Sequence, residues 1–396
     1  MLVDAVFKRN SYVEETLKAK ITVFDPGKSN YVPTLTTSVK SGECEYALCD
    51  INANTVTNLI TGGLIHSTSV LDTDFSKPWY HQKTASQFTF CSKTFAYAPD
   101  TLFIDKLEAV VTFYNKKMGA DYGIGSLHQI AKDGKFTLDC MLQYAAEVTS
   151  DLNADGKMDQ NDTYCISCQN DYGYYALLSA GYSSFVTEND NIVLALNEEK
   201  ILDVLNKTGE IMGDPAIFFN RQTYSLPIGQ VCQMFANKQA LFLVRPLQTL
   251  YDLRDFDHDF EILPAAKFTE DQADYSTPVN SYAGTVFCVP RARNDYADIA
   301  LVSDLLAAES YYDVMPVFYD VVLDYRLVPD PGAAEILDIV FDKRSYDLGI
   351  VFNFGSVRNV LVAPKIGNLS SQIKTVEKAA EKTVSNLMKQ ISEMAD

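Results

Sequence analysis

Asp151-Leu152-Asn153-Ala154-Asp155-Gly156-Lys157-Met158-Asp159-Gln160-Asn161-Asp162 sets oxygen-bearing side chains at positions 1, 3, 5, 9 and 12 of a twelve-residue loop, with glycine at position 6. Hard oxygen ligands at that spacing let one short loop wrap a calcium ion, and Gly156 supplies the sharp turn. The predicted ligands are Asp151, Asn153, Asp155, Asp159 and Asp162 through their side chains, and Lys157 through its backbone carbonyl. Four carboxylates in so short a stretch repel one another unless a cation lies among them. An acidic surface turn is the plain alternative, but it has no reason to satisfy six constrained positions. Position 12 is Asp162 rather than Glu. The shorter side chain reaches with one oxygen, which points to the weak affinity of extracellular modules.

The flanks of the loop decide the architecture. Thr137 is placed to cap a helix in which Leu138, Met141, Leu142, Ala145 and Val148 recur at helical spacing. Residues 164–168 after the loop read as a strand, not a second helix. Half an EF-hand between a helix and a strand is a structural staple rather than a paired sensor. No second such loop occurs, which also argues against a two-repeat cohesin-binding module.

Working outward, apolar runs at 46–51, 108–114, 240–244, 260–264 and 285–290 read as strands. Helical patterns cover 3–19, 54–64, 172–180, 198–212, 228–237, 298–308, 312–323, 332–342 and 368–394. Residues 21–24 read as a further strand, 76–81 as the opening of a helix, and 88–91 with 94–98 as a hairpin. Strands alternating with helices at this rhythm predict an α/β architecture with a largely parallel sheet.

With 396 residues, 47% of them hydrophobic and 12% aromatic, the chain buries a large core and is not disordered. A net charge of −19 argues against nucleic acid and anionic membrane as partners. The eight cysteines, at 44, 49, 91, 140, 165, 168, 232 and 288, are too sparse for a disulfide scaffold and read mostly as small buried hydrophobes. Cys165 and Cys168 fall in a predicted strand, and His66, His81, His128 and His258 show no ligand spacing around them, so a zinc site is not expected. No apolar run reaches eighteen residues, and the charged first twenty residues are not a signal peptide.

Several stretches, in order, resemble the extracellular solute-binding proteins of bacterial ABC importers, in the maltose-type family 1 group. They include Arg9-Asn10-Ser11-Tyr12-Val13-Glu14-Glu15, Ser76-Lys77-Pro78-Trp79, Val111-Thr112-Phe113-Tyr114-Asn115-Lys116-Lys117, and Gly134-Lys135-Phe136-Thr137-Leu138 before the calcium loop. Further along come residues 234–242, Phe260-Glu261-Ile262-Leu263-Pro264, Ala307-Ala308-Glu309-Ser310-Tyr311 and Tyr346-Asp347-Leu348-Gly349. The resemblance implies two α/β lobes of the periplasmic-binding-protein-like type II fold, joined by a hinge with a ligand cleft between them. Lobe 1 would comprise 1–110 plus 264–311, and lobe 2 would comprise 111–263 plus 312–396 with the calcium loop 151–162. The crossings would fall near Val110 and Leu263–Pro264, with a return near Tyr311–Pro316. Family members begin with a strand preceded by a lipoprotein signal. This chain starts at the first helix, as though signal and strand were cut away or the start codon misplaced. The implied function is a monomeric, non-enzymatic receptor on the extracellular face of the membrane. It would bind a carbohydrate, an oligosaccharide, and deliver it to the transmembrane subunits of an ABC permease.

Sugar clefts pair aromatic faces with amides and carboxylates, and in open α/β sheets ligands sit beyond the carboxyl ends of strands. On position, the candidate ligand groups are Asp50, Asn52 and Asn54, then Asn170, Asp171 and Tyr172, with Tyr97 before the first crossing and Tyr282 at the expected hinge. Asn353 and Phe354 lie in a loop where relatives place an aromatic. Helix capping explains Asp50, Asn52, Asn54, Asn170 and Asp171 equally well. Arg245, after a buried strand, is either a hinge or cleft arginine or a surface ion-pair partner, and Trp79 reads as first-lobe packing. Two other classes stay open. One is a calcium-stabilised secreted enzyme such as a glycoside hydrolase, although no nucleophile elbow, His-Glu-x-x-His, phosphate loop or dinucleotide fingerprint occurs. The other is a calcium-binding adhesion or scaffold module.

Overall fold

The computed structural model describes residues 1–254, 259–324, 332–364 and 367–394; His258 lies outside them. Two sheets organise the chain. Strands β1 (Cys49–Asn52) and β2 (Ile65–His66) flank β9 (Thr285–Pro290) in a three-stranded sheet. A five-stranded sheet is built from β3 (Val110–Asn115), β4 (Tyr164–Cys168), β5 (Phe218–Asn220), β6 (Ala240–Pro246) and β7 (Phe260–Pro264), in the order β7-β3-β6-β4-β5. Every residue of β3, β4, β6 and β7 is buried. Helices cover both faces, which is why these strands read as continuous apolar runs rather than alternating ones. A short parallel pair, β8 (Thr277–Pro278) with β10 (Arg344–Ser345), lies between the sheets, and Ala109 bridges Val279 beside it. The architecture is two-lobed α/β.

The expectation of a largely parallel sheet is corrected. In the larger sheet β4 runs parallel to β6 and to β5, but β3 is antiparallel to both β6 and β7. In the smaller sheet both pairings are antiparallel. The reason is topological. Antiparallel neighbours need no βαβ crossover, and β3 meets β6 and β7 only far along the chain, so the alternation of strands and helices in the sequence does not set their direction.

Helix α1 (Leu2–Leu17) precedes an extended stretch at 21–24 that pairs with no strand, against expectation. Val23 and Phe24 are exposed, and a cavity of about 860 Å³ is lined both by that stretch and by Cys49, Asp50 and Ile51 of β1. The segment 76–81 is not helical either. The helix begins at Gln82, and His81 caps it by accepting from the Thr84 N–H. Trp79 Nε1 and the Tyr80 hydroxyl both donate to Asp304 Oδ1, at 2.9 and 2.8 Å, so a distant carboxylate fixes this turn, and Trp79 packs against the cluster of Leu71, Tyr80, Tyr97 and Val289.

Helix α2 (Ile104–Leu107) leads into β3; α3 (Leu138–Leu142) and α4 (Ala145–Val148) precede the acidic loop; α5 (Tyr172–Ser179) follows β4. Near the C-terminus α6 (Arg358–Leu361) is followed by α7 (Leu369–Glu393). In α7, Leu369, Ile373, Val376, Ala380, Val384, Leu387 and Ile391 are buried, spaced by three and four, so one stripe of a long polar helix faces the core. All eight cysteines are free, five of them buried.

Candidate functional site

Strands β4, β5 and β6 end together, and the residues just past those ends converge. Gln169, Asn170 and Asp171 follow β4, Arg221 and Gln222 follow β5, and Arg245 closes β6. With Asn280 and Tyr282 from the segment before β9, and Arg358 and Asn359 from α6, they line a cavity of about 480 Å³. Residues 281–284 are tied to the smaller sheet. The Asn54 N–H donates to Ser281 O, the Ala53 N–H donates to Gly284 O, and Asn52 Nδ2 donates to Ala283 O. The cavity therefore takes one wall from the larger sheet and another from a segment tied to the smaller one, at the carboxyl ends of parallel strands, where α/β sheets place ligands.

Gln169 is the pivot of its floor. Its Oε1 accepts from Arg221 Nε at 2.9 Å and from an Arg245 N–H, while its Nε2 donates to Asp171 Oδ2. The two guanidinium donors fix which end of the amide is oxygen. Arg221 Nη1 also donates to Leu226 O at 2.9 Å. Arg245 is 5% exposed, and its Nε has no hydrogen-bond partner among the described residues. Arg358 stacks over the Tyr282 ring at 4.9 Å and donates to Ile350 O at 2.7 Å, leaving its own buried Nε without a partner. Burial holds the Asp171 carboxyl above its ordinary range, against the opposing pull of Gln169, Arg245, Arg221 and Arg358. Burial, and then the charge of Arg245, push the Arg221 guanidinium down.

Of the sequence candidates, Asn170, Asp171 and Tyr282 line this cavity. Asn353 stands behind it in a left-handed turn (φ 49°), its Oδ1 accepting from the Arg358 N–H, so it positions that arginine. The remaining candidates are placed elsewhere. Tyr97 is 1% exposed, hydrogen-bonded to Ser303 and ringed by Phe75, Tyr80 and Phe287. Tyr172 packs on Phe218, and Phe354 packs on Phe185 and Phe352, both in the core. Asn52 and Asn54 latch the 281–284 segment, and Asp50 lines the second cavity. Arg221 and Arg358 are lining residues that sequence reasoning missed. Arg221 follows a three-residue strand too short to announce itself, and Arg358 carries no motif at all.

The acidic loop sits between α4 and β4 as the sequence implied, its ends tied by Ser150 and Thr163 through two backbone hydrogen bonds. Gly156 has φ +81°, a conformation that a side chain would strain. Asp151 Oδ2 accepts from the Gly156 N–H, Asn153 Oδ1 from Asp155, Asp155 Oδ1 from Lys157, and Asp159 Oδ1 from Asn161. Asp162 is fully buried, and its two oxygens accept from Leu152 and Asp159, latching the loop closed. Asp151 Oδ1 is buried with no partner. Among the described residues no group of three or more acidic, histidine or cysteine side chains converges on one point as a ready metal cage.

No family model and no curated protein matches this chain. Solved structures do. The UspC protein of M. tuberculosis matches with a TM-score of 0.64 at 13% identity, over 96% of each chain. An ABC substrate-binding protein from Listeria monocytogenes, in complex with cycloalternan, matches with a TM-score of 0.60 at 15% identity, over 98% of this chain and 96% of that one. An extracellular solute-binding protein from Staphylococcus aureus, in complex with maltose, matches with a TM-score of 0.59 at 11% identity, over 98% and 94%. At these identities the likeness is one of fold.

Proposed function

We propose that this protein is the extracellular substrate-binding component of an ABC importer, capturing an oligosaccharide between its lobes and presenting it to the permease. The carrying observation is the cavity of about 480 Å³ lined by amides, guanidiniums and a tyrosine ring, at the ends of the larger sheet and beside a segment tied to the smaller one. A ligand touching both walls holds the lobes together, and the closed form is what a permease can recognise. The ligand-bound neighbours from Listeria monocytogenes and Staphylococcus aureus support the reading. Against the glycoside hydrolase alternative, Asp171 is the one carboxylate among the lining residues, and hydrolysis calls for a pair. No helix among the described residues is long and apolar enough to cross a membrane; a lipid anchor at the cell surface is part of the proposal.

Calorimetric titration against a panel of mono- and oligosaccharides, with analysis of the sugar afterwards, tests this. Trp79 is not among the lining residues, so calorimetry suits better than its fluorescence. Saturable binding of an intact sugar is expected. Released monosaccharide, or silence across the panel, overturns the proposal.

We also propose that the loop at 151–162 takes a calcium ion as a staple. The support is the unpartnered buried oxygen of Asp151 and the spare acceptor capacity of Asn153, Asp155 and Asp159, each of which uses one oxygen in a local turn. Calcium binding only the folded state would add about 2.7 kcal/mol at a hundredfold excess over Kd. The expected result is a higher melting temperature in calcium than in chelator, a difference abolished by Asp155→Ala. Wild type melting alike in both conditions would sink the claim.

A further inference from the structure

Three guanidiniums, those of Arg221, Arg245 and Arg358, line the cavity with one carboxylate, that of Asp171. The wall is thus positive by two charges in a chain of net charge −19. Among the described residues, none of the three arginines is within ion-pair distance of a carboxylate. Their hydrogen bonds run to Gln169, to the carbonyls of Leu226 and Ile350, and, for Arg358, its ring contact is to Tyr282. Arg245 is the decisive group. It is nineteen-twentieths buried, lines the cavity, and keeps an N–H with no partner. A buried cation without a carboxylate is costly unless something charged arrives to meet it. Asp171 offsets part of that charge through space, but its Oδ2 accepts from the Gln169 amide and it forms no direct ion pair with any of the three.

The apolar side of the cavity points the same way. Neutral oligosaccharides are held largely by aromatic faces laid against C–H surfaces. Here the lining has a single aromatic ring, Tyr282, and Arg358 covers one face of it. Donors outnumber stacking platforms, and they are donors of the planar, forked kind that match carboxylate and phosphate oxygens.

We propose that the ligand is an acidic saccharide, one bearing a carboxylate or phosphate that docks among Arg221, Arg245 and Arg358. The inference rests on the reading of this cavity as a sugar cleft. The overall charge of the protein repels such a ligand, so the local positive wall supplies selectivity at contact rather than long-range attraction.

The test is calorimetric titration with digalacturonate, glucose 6-phosphate and maltose in parallel, at low and high salt. Digalacturonate or glucose 6-phosphate is expected to bind at least tenfold tighter than maltose, and which of them does so tells carboxylate from phosphate. Salt weakens the interaction. Arg245→Gln is expected to lower affinity for the acidic ligand about tenfold or more, as loss of a charge-assisted hydrogen bond does. Should that variant fold poorly, Arg358→Gln, at a half-buried position, gives the same reading. Arg245→Lys, which keeps charge but loses the fork, is expected to fall between. Tight binding of maltose with none of either acid overturns this inference and leaves the sugar-receptor proposal standing. Binding of an acid that ignores both salt and the arginine variants also overturns it. Silence toward all three, and toward a wider sugar panel, defeats the receptor proposal itself.

Discussion

Asp105→Ala is expected to cost about 3–5 kcal/mol of folding free energy, the cost of breaking a buried ion pair from one side. Asp105 is fully buried in α2, immediately before β3. Its Oδ2 lies 3.1 Å from Arg344 Nε, off the hydrogen-bond line, and its Oδ1 lies 3.7 Å from Lys106 Nζ. Arg344 sits in β10, in the short pair between the two sheets, and its side chain is 4% exposed. Among the described residues, removing the carboxylate leaves the Arg344 guanidinium buried with only the Phe341 carbonyl as hydrogen-bond partner, while Lys106 keeps Asp100 at 2.9 Å. The damage is therefore uneven and falls on Arg344. This does not make the pair a net source of stability, since an apolar replacement of both partners is often neutral or better. Accordingly, Asp105→Leu combined with Arg344→Met is expected to recover much of the loss. Urea denaturation of wild type and the two variants decides the matter. A single alanine variant within about 1 kcal/mol of wild type would mean that the pair is hydrated and not buried as described.

The elements that were legible in the sequence are those whose residues are determined locally. The apolar runs that became β3, β4, β6, β7 and β9, and the helix–loop–strand around 151–162, needed no distant partner to be recognised. The hairpin Phe185–Glu188 with Asn191–Leu194 was missed although its signal was present. Asn189 and Asp190 both take positive φ, as a two-residue turn requires, and both are residues that tolerate it. Errors elsewhere came from long-range forces. Asp304 decides the turn at Trp79 and Tyr80, and the stretch at 21–24 meets a cavity where a pairing strand would be needed. The site divides in the same way. Asn170 and Asp171 follow from a strand end, but Arg221 and Arg358 meet only because β5 and α6 are brought together across some 140 residues of chain. Burial, which no motif encodes, removed Tyr97, Tyr172 and Phe354 from the cavity.

Gly173→Ala is the sharpest probe of how that meeting is held. Alanine is the better helix former by about 1 kcal/mol, so on propensity alone the change should stabilise α5. The tertiary term opposes it and is larger. A Cβ on residue 173 would lie 2.0 Å from the carbonyl oxygen of Leu361 and 3.1 Å from its carbon, against an ordinary contact of 3.4–4 Å. The obstacle is backbone, so no rotamer relieves it, and α5 and α6 must separate. Overpacking of this kind costs about 1–3 kcal/mol, sometimes more. The separation also reaches the cavity. Asn170 and Asp171 stand at the start of α5, and Arg358 and Asn359 belong to α6, so both walls move. Gly173→Ala is therefore expected to lower the urea midpoint and weaken ligand binding together. Gly229→Ala is the matched control, since that glycine is also helical but nothing lies within 4 Å of its Cβ position. It should leave binding unchanged and stability equal or higher by up to about 1 kcal/mol. If Gly173→Ala behaves like Gly229→Ala, then α5 and α6 are not in backbone contact, and the close approach that sets the spacing of Asp171 and Arg358 is not what builds the site.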